Sequence, residues 1–141
     1  MSWLKKKSVL IPLDLSDSSY DAIAPAKEFV EENSALNLIH VLTPLHPADP
    51  AALWDTLNDD ERKQKVKVFL HKKLSELNCI GIPTQIAIGD PVTEIVDYAE
   101  EINADLIVMP SHGRTGAKRF LLRSVAERVV RLAPCPVLIL K

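Results

Sequence analysis

Cysteine is scarce in this sequence, which has two, Cys79 and Cys135, among its 141 residues. They lie far apart, and neither belongs to a CxxC pair or to a cysteine–histidine cluster with metal-ligand spacing. A disulfide framework and a zinc site are therefore not indicated. Free thiols are typical of a reducing compartment, so we expect a cytoplasmic location.

Long apolar runs and a strong net charge are also missing. The run that follows Lys5, Lys6 and Lys7 covers only residues 8–13 before it meets Asp14. It is too short for the core of a signal peptide or for a bilayer span, so we expect no membrane insertion. The net charge is −2 at neutral pH, which does not indicate nucleic acid or an anionic membrane as a partner.

The composition is otherwise that of an ordinary globular protein. Hydrophobic residues make up 47% of the chain and charged residues 26%. A length of 141 residues suits one domain, 1–141, with its own core. The chain shows neither a repeat of solenoid period nor a low-complexity tract.

Apolar stretches of strand length alternate with segments of helical periodicity. The predicted strands are 8–13, 36–42, 84–88, 106–109 and 137–140. The predicted helices are 18–32, 56–78, 91–102 and 121–132. Pro25 predicts a kink in the first helix or a later start, and Gly81 and Pro83 are expected to end the second. Asp90 is the predicted N-cap of the third helix and Pro91 its first residue.

Apolar residues recur at helical spacing within each predicted helix. In chain order they are Tyr20, Ile23 and Val30 with the stem of Lys27; Val66, Phe69, Leu70, Leu74 and Leu77; Val92, Ile95, Val96, Ala99 and Ile102; and Val125, Val129 and Leu132. These residues predict the faces that meet the core. The charges of the second helix are interpreted as a solvated face.

The alternation of strands and helices predicts an α/β fold, a mostly parallel sheet covered by helices on both faces. Ligands of such sheets bind at the carboxyl ends of the strands, at a topological switch point. Two strand ends are rich in polar groups, Asp14 after the first strand and 110–116 after the fourth. His40, inside the second strand, is predicted to be a core or half-buried histidine, because no carboxylate or cysteine flanks it. The proline-rich segment 43–55 is predicted to be a lid or a variable surface.

The segment after the fourth strand is the strongest candidate for a ligand site. It contains Gly113 and Gly116, two of only four glycines in the chain. Such a loop either presents backbone N–H groups to phosphate or is a tight turn with two glycines at positive φ. The segment is also basic, with Arg114, Lys118, Arg119, Arg123, Arg128 and Arg131 against Glu127 alone. Arg128 and Arg131 suit the C-terminal end of a helix dipole. Lys118, Arg119 and Arg123 oppose the dipole of a helix start unless an anion binds there, so we expect an anionic ligand.

Several segments together resemble the universal stress protein family. They are VLIPLDLS, LIHVL, the GDP cap, ADLIVMPSHGRTG, LLRSVAERVVR and APCPVLIL, which cover nearly the whole chain. The resemblance implies a flavodoxin-like strand order, 3-2-1-4-5, which would place the two polar strand ends side by side. Many members bind ATP, and many dimerise through the last strand. It therefore implies an adenine nucleotide as ligand and a homodimer through 136–140.

The resemblance also exposes two departures from the pattern of the ATP-binding members. Their loop reads Gly, two residues, Gly, nine residues, Gly, then Ser or Thr, and these positions fall here on Pro110, Gly113, Arg123 and Ser124. Two of the three glycines are thus replaced. Pro110 removes an N–H that could have met a phosphate. Arg123 either fills the phosphate pocket or pairs with the phosphates as a planar fork.

The family comparison implies a role for each matched residue. Adenine would lie against Pro12, Leu13 and Val41. Met109 to Gly113 would run along the ribose and phosphates, and Ser124 and Val125 would supply a hydroxyl and N–H groups at the start of the last helix. Asp14 would hold ribose hydroxyls or an ion, including Mg²⁺ with the nucleotide, although an aspartate there can also cap a helix. The predicted nucleotide-binding set is Pro12, Leu13, Asp14, Val41, Met109, Pro110, Ser111, His112, Gly113, Arg114, Gly116, Arg119, Arg123, Ser124 and Val125. No catalytic residue is predicted. His112 suits the role of stabilising its own loop at least as well as that of a catalytic base.

These observations leave alternatives for the function. The first is a regulatory module that binds ATP or a smaller adenine nucleotide. The second is a family member without nucleotide binding that acts through an unknown protein partner or its dimer surface. Enzymatic turnover beyond weak ATP hydrolysis is not expected, because phosphoryl transfer needs a metal-holding carboxylate, a lysine and a positioned nucleophile. The chain also has no GxxxxGK[ST] sequence.

Overall fold

Five parallel strands form the centre of the protein. The computed structural model describes residues 4–15, 17–44, 58–110 and 117–141, without the side chains of 17, 18 and 117–123. The strands are β1 (Val9–Pro12), β2 (Leu36–Leu42), β3 (Thr84–Ile88), β4 (Leu106–Pro110) and β5 (Val137–Leu140). Their order is β3-β2-β1-β4-β5, so the predicted α/β class and the order 3-2-1-4-5 are confirmed.

Helices cover both faces of this sheet. They are α1 (Asp17–Tyr20), α2 (Ile23–Lys27), α3 (Asp59–Glu76), α4 (Pro91–Glu101) and α5 (Ala117–Leu132). The central strand β1 alternates between two cores, because successive side chains of a strand point to opposite faces. Val9 and Ile11 pack with α1, α2 and α3, whereas Leu10 packs with α4 and α5. All three are fully buried.

The first predicted helix, 18–32, is wrong as a single element. The chain forms α1 and α2, then a 3₁₀ turn at Asn33–Ala35. Pro25 explains the division, because it is the third residue of α2. The first four N–H groups of a helix have no intrahelical partner, so a proline costs no hydrogen bond there. Tyr20, Ile23 and Val30 are nevertheless buried as predicted.

An asparagine fixes each end of helix α3, Asn58 at its start and Asn78 after its last turn. The side chain of Asn58 accepts a hydrogen bond from the Glu61 N–H at 2.8 Å, which makes it the N-cap. The predicted start at residue 56 lies outside the described residues. At the other end Asn78 has φ 57°, and the Cys79 N–H donates to the Leu74 carbonyl at 2.8 Å. This is a Schellman ending, so the prediction that Gly81 and Pro83 end the helix is corrected.

Three residues predicted to face the core are instead exposed. Phe69 keeps 53% of its surface, Leu77 43% and Leu132 55%. Phe69 lies about 100° around α3 from Leu70, whose face is buried, and the other two lie at or beyond their helix ends. Helix α5 also begins at Ala117, four residues before the predicted start. No helix in the described part of the chain has both the length and the hydropathy to cross a membrane.

The carboxylate of Asp105 joins the starts of β1 and β4. Its two oxygens accept hydrogen bonds from the N–H groups of Lys7, at 2.9 Å, and Ser8, at 3.1 Å. The Asp105 N–H donates in turn to the Ser8 carbonyl at 2.9 Å. These groups would otherwise be unpaired where the two strands begin. The pairing between β1 and β4 is therefore held at its first residues by a side chain.

Asp90 caps α4 as predicted. Its Oδ2 accepts hydrogen bonds from the Thr93 N–H at 3.0 Å and from the Thr93 hydroxyl at 2.9 Å. These bonds favour the ionised carboxylate and lower the pKa of Asp90. Pro91 follows as the first helical residue. Two residues of this helix, Pro91 and Ile95, line the candidate site.

Substitution of Asp90 by alanine is expected to lower the free energy of unfolding by about 1 kcal/mol at pH 7. Because the pKa of Asp90 is lower in the folded chain, the stabilisation is complete above the unfolded pKa, near 3.8. It is lost as the pH falls through the folded value. Urea unfolding at pH 7 and at about pH 2 should therefore show a difference between the two chains that shrinks in acid. Asp90→Asn is the control, since its amide oxygen accepts at both pH values; equal loss in both variants would contradict this account.

Candidate functional site

A cavity of about 470 Å³ opens at the carboxyl ends of the strands. It lies where β1 and its neighbours β2 and β4 end, on the side of the sheet predicted for a ligand. Six of the predicted site residues line it together: Pro12, Leu13, Asp14, Val41, Met109 and Val125. They come from three strand ends and one helix, so the fold brings distant segments to a single concave site.

Of the other nine predicted site residues, only Pro110 and Ser124 are fully described, and neither lines the cavity. Pro110 is the buried last residue of β4, and Ser124 is half-buried on α5. Arg119 and Arg123 lie on α5, but their side chains are outside the described residues. The remaining five, Ser111, His112, Gly113, Arg114 and Gly116, lie in the segment 111–116, which is also outside the described residues. The roles given to this loop therefore stay predictions.

The cavity also contains residues that the sequence did not indicate. They are Leu15, Ile39, His40, Leu42, Thr43, Arg62, Pro91 and Ile95. Pro91 and Ile95 reach it because the start of α4 lies beside the strand ends. Thr43 is the first residue of the segment predicted to be a lid or a variable surface, and residues 45–57 lie outside the described residues.

The turn after β1 presents Asp14 at the rim. The Leu13 N–H donates to the Ile39 carbonyl at 2.8 Å, which extends the pairing with β2 by one residue. Leu15 then adopts φ 68°, in the left-handed region that branched residues rarely occupy. Such strain is typically stored at functional sites, because the surrounding structure must compensate for it. The half-buried Asp14 thus lies between a fixed strand end and a strained residue.

His40 lies at the cavity wall and is held by the same turn. Its Nδ1 is 2.7 Å from the Leu13 carbonyl oxygen. A carbonyl can only accept, so Nδ1 carries the proton and Nε2 of the neutral ring is an acceptor. Burial lowers the pKa of His40, and the bond to Leu13 and the charge of Asp14 offset part of that effect. The prediction of a half-buried histidine agrees with its burial, and its place in the cavity is new.

Arg62 corrects the interpretation of the α3 charges as a solvated face. Its side chain is only 13% exposed, and Nη2 donates to the Thr43 carbonyl at 2.8 Å. A signal for this was present in the sequence. Arg62 lies four residues before Val66, which lies four before Leu70, and residues at that spacing share one helix face. Leu70 is fully buried and Val66 packs against the same core, so Arg62 continues their stripe to the rim.

The site combines apolar walls with a few polar groups of different character. Ile95, Met109 and Val125 supply apolar surface, whereas Asp14 and Arg62 supply opposite charges. A cavity of this size and composition is typical of small-molecule sites in proteins. Within the described ranges, no group of three or more His, Cys, Asp and Glu residues could hold a metal ion. The arrangement suits a small ligand with an apolar part and with polar groups that can meet Asp14 and Arg62.

Comparisons with known proteins agree with this fold. Residues 6–141 match the model of the universal stress protein family. Universal stress protein MJ0531 of Methanocaldococcus jannaschii is 39% identical over 96% of this chain and 82% of its own. The solved structure of MJ0577, from the same organism, has a TM-score of 0.68 and 31% identity, covering 96% of this chain and 95% of that one. A universal stress protein solved in complex with cAMP has a TM-score of 0.64 and 26% identity, covering 96% and 97%.

Proposed function

The chain belongs to the universal stress protein family, and from this premise we propose that it is a regulatory module that binds an adenine nucleotide, ATP or a smaller one. The ligand would occupy the cavity at the ends of β1, β2 and β4. The base would lie against Pro12, Leu13 and Val41. The phosphates would extend toward the end of β4 and the start of α5.

The observation that carries this proposal is the meeting of six predicted residues at one cavity. Pro12, Leu13 and Val41 were assigned to the base, Asp14 to the ribose, and Met109 and Val125 to the ribose and phosphate side. They come from four segments spread between residues 12 and 125 of the chain. The relative solved with cAMP shares the fold over nearly its whole length and supports an adenine ligand.

The proposal assigns binding and not turnover to this site. Asp14 would hold ribose hydroxyls or a Mg²⁺ ion that arrives with the nucleotide. No lysine lines the cavity within the described part of the chain, and the sequence lacks a phosphate loop of the GxxxxGK[ST] type. Any ATP hydrolysis would then be slow and incidental to regulation.

One observation favours the second candidate, a family member that acts through protein partners without a nucleotide. Pro110 ends β4 as a buried residue, at the position where ATP-binding members have their first loop glycine. A proline has no N–H to offer a phosphate, and its ring excludes close approach of the backbone. A nucleotide with fewer phosphates, or a nucleoside, would be affected less by this replacement.

Mass spectrometry of the denatured, freshly purified protein distinguishes the two candidates. We expect the denatured protein to release an adenine nucleotide. We also expect calorimetric titration to show binding of at least one of ATP, ADP, AMP or cyclic AMP. Titrations with and without Mg²⁺ would test the role given to Asp14. If no nucleotide is released and none binds up to millimolar concentration, the partner-binding candidate stands instead.

A homodimer through β5 is part of the proposal and gives a separate prediction. In the described structure β5 pairs only with β4, and Val137–Leu140 are each half-buried at the sheet edge. Soluble proteins usually cover such an apolar edge, and pairing with the same strand of a second copy would do so. Light scattering at micromolar concentration should give twice the chain mass of 15.7 kDa. A single chain mass throughout a dilution series would contradict it.

A further inference from the structure

Arg62 is the one cationic side chain that lines the cavity in the described part of the chain. It lies in the first turn of α3, and its Nη2 donates to the carbonyl of Thr43, which lines the same cavity. That bond ties the guanidinium to the end of β2. With 13% of its side chain exposed, Arg62 is held at the wall and not in solvent.

The second nitrogen of this guanidinium is left without a hydrogen bond. Nη1 of Arg62 is buried and has no partner among the described residues. The nearest carboxylate oxygen, Oδ1 of Asp59, is 3.8 Å away, which is too long for a hydrogen bond, and that side chain is 67% exposed. Buried charged donors are costly when unpaired, so such a group indicates a partner that arrives from outside the protein.

The position of Arg62 along the sheet edge decides which part of a nucleotide it would meet. Thr43 follows β2, Asp14 follows β1, and β4 lies on the far side of β1. Neighbouring strands are about 4.8 Å apart, so the end of β2 is about 10 Å from the end of β4. In the proposed binding mode the phosphates lie by β4 and the base lies by β1 and β2. Arg62 is therefore placed at the base and away from the phosphates.

We infer that Arg62 Nη1 donates a hydrogen bond to a ring nitrogen of the purine base. This inference rests on the proposed function and adds a base-reading residue from a helix outside the strand-end loops. Adenine presents N1, N3 and N7 as acceptors, and a guanidinium has only donors, so the contact selects an acceptor edge. The bond from Nη2 to Thr43 fixes the fork, so little side-chain freedom is lost on binding.

Calorimetric titration of adenosine and AMP tests this contact. Arg62→Met keeps an unbranched side chain without donors, and it should weaken binding of both ligands by the same factor, on the order of tenfold or more. The affinity of Arg62→Lys should fall between those of Arg62→Met and the unchanged chain, since an ammonium cannot serve Thr43 and the base in the same geometry. Lys65→Met, an exposed neighbour on the same helix, is the matched control and should bind like the unchanged chain. Thermal unfolding of the apo variants verifies that each is folded.

Deaza analogues identify the acceptor. Among 1-deaza-, 3-deaza- and 7-deaza-adenosine, one should bind the unchanged chain on the order of tenfold more weakly and show no further loss with Arg62→Met. If Arg62→Met weakens AMP but leaves adenosine unchanged, the contact is with phosphate and the inference is overturned. It is also overturned if the variant binds both ligands as the unchanged chain does. If the unchanged chain binds neither ligand, the proposed function itself fails, and that result differs from the other two.

Discussion

Substitution of Val125 by tryptophan is expected to weaken AMP binding on the order of 100-fold or more without unfolding the protein. Val125 is half-buried on α5 and lines the cavity. It packs against the core that also contains Met109 and Ile139. An indole in its place would occupy the space that the ligand needs. A small-molecule site buries most of its ligand, so the two cannot share the cavity. Calorimetry measures the loss of affinity, and circular dichroism measures whether the helices are retained.

The same helix offers a matched control. Val130 is 52% exposed and does not line the cavity. Val130→Trp adds the same indole to α5 on its solvent side, so binding should stay within a factor of about two, as expected for a surface change away from the site. Undiminished AMP binding by Val125→Trp would place the nucleotide outside this cavity. Equal losses in the two variants would show that the effect comes from the helix and not from occlusion.

Substitution of Leu10 by alanine is expected to lower the free energy of unfolding by about 3 kcal/mol. Leu10 is fully buried in the central strand, in a core that also contains Val92, Ile107 and Met109. Removing three carbons leaves a cavity between rigid strands that cannot close around it, which adds to the lost hydrophobic transfer. Urea unfolding at a fixed protein concentration measures the change, because a dimer would make stability depend on concentration.

Leu132→Ala is the control for the core substitution. It removes the same atoms from a residue that is 55% exposed at the end of α5. Its free energy of unfolding should stay within about 0.5 kcal/mol of that of the unchanged chain. A loss below about 1 kcal/mol for Leu10→Ala would mean that the core around β1 relaxes more easily than close packing implies.

The sheet could be predicted from sequence because each strand is a short apolar run bounded by chain breakers. The predictions 36–42, 84–88 and 137–140 coincide with β2, β3 and β5. The helices were harder to predict where tertiary structure decides between equal local options. Pro25 could kink one long helix or begin a second, and the fold uses the second option. The end of α3 is set by an asparagine at positive φ, which is not apparent beside the stronger signals of Gly81 and Pro83.

The candidate site likewise contains some residues that could be predicted from the sequence and others that could not. Asp14 was predictable because the carboxyl ends of parallel strands share one edge, whatever the loops do. Met109 was placed there by the family resemblance. Arg62 and His40 were not, because their place depends on how α3 crosses the sheet and on which carbonyl a strand turn exposes. The spacing from Arg62 through Val66 to Leu70 carried the information. It gains meaning only when the buried face of the helix is known.

The carboxylate that joins Lys7 and Ser8 to Asp105 has a consequence for biosynthesis. These partners are 98 and 97 positions apart, and a ribosome delivers the first long before the second. A nascent chain can pair β1 with β2 early, but the other edge of β1 stays open until β4 has emerged. Until then β1, which is fully buried in the mature sheet, has unpaired backbone groups along one edge. Translation speed through the middle of the message therefore sets how long that edge of β1 stays unpaired.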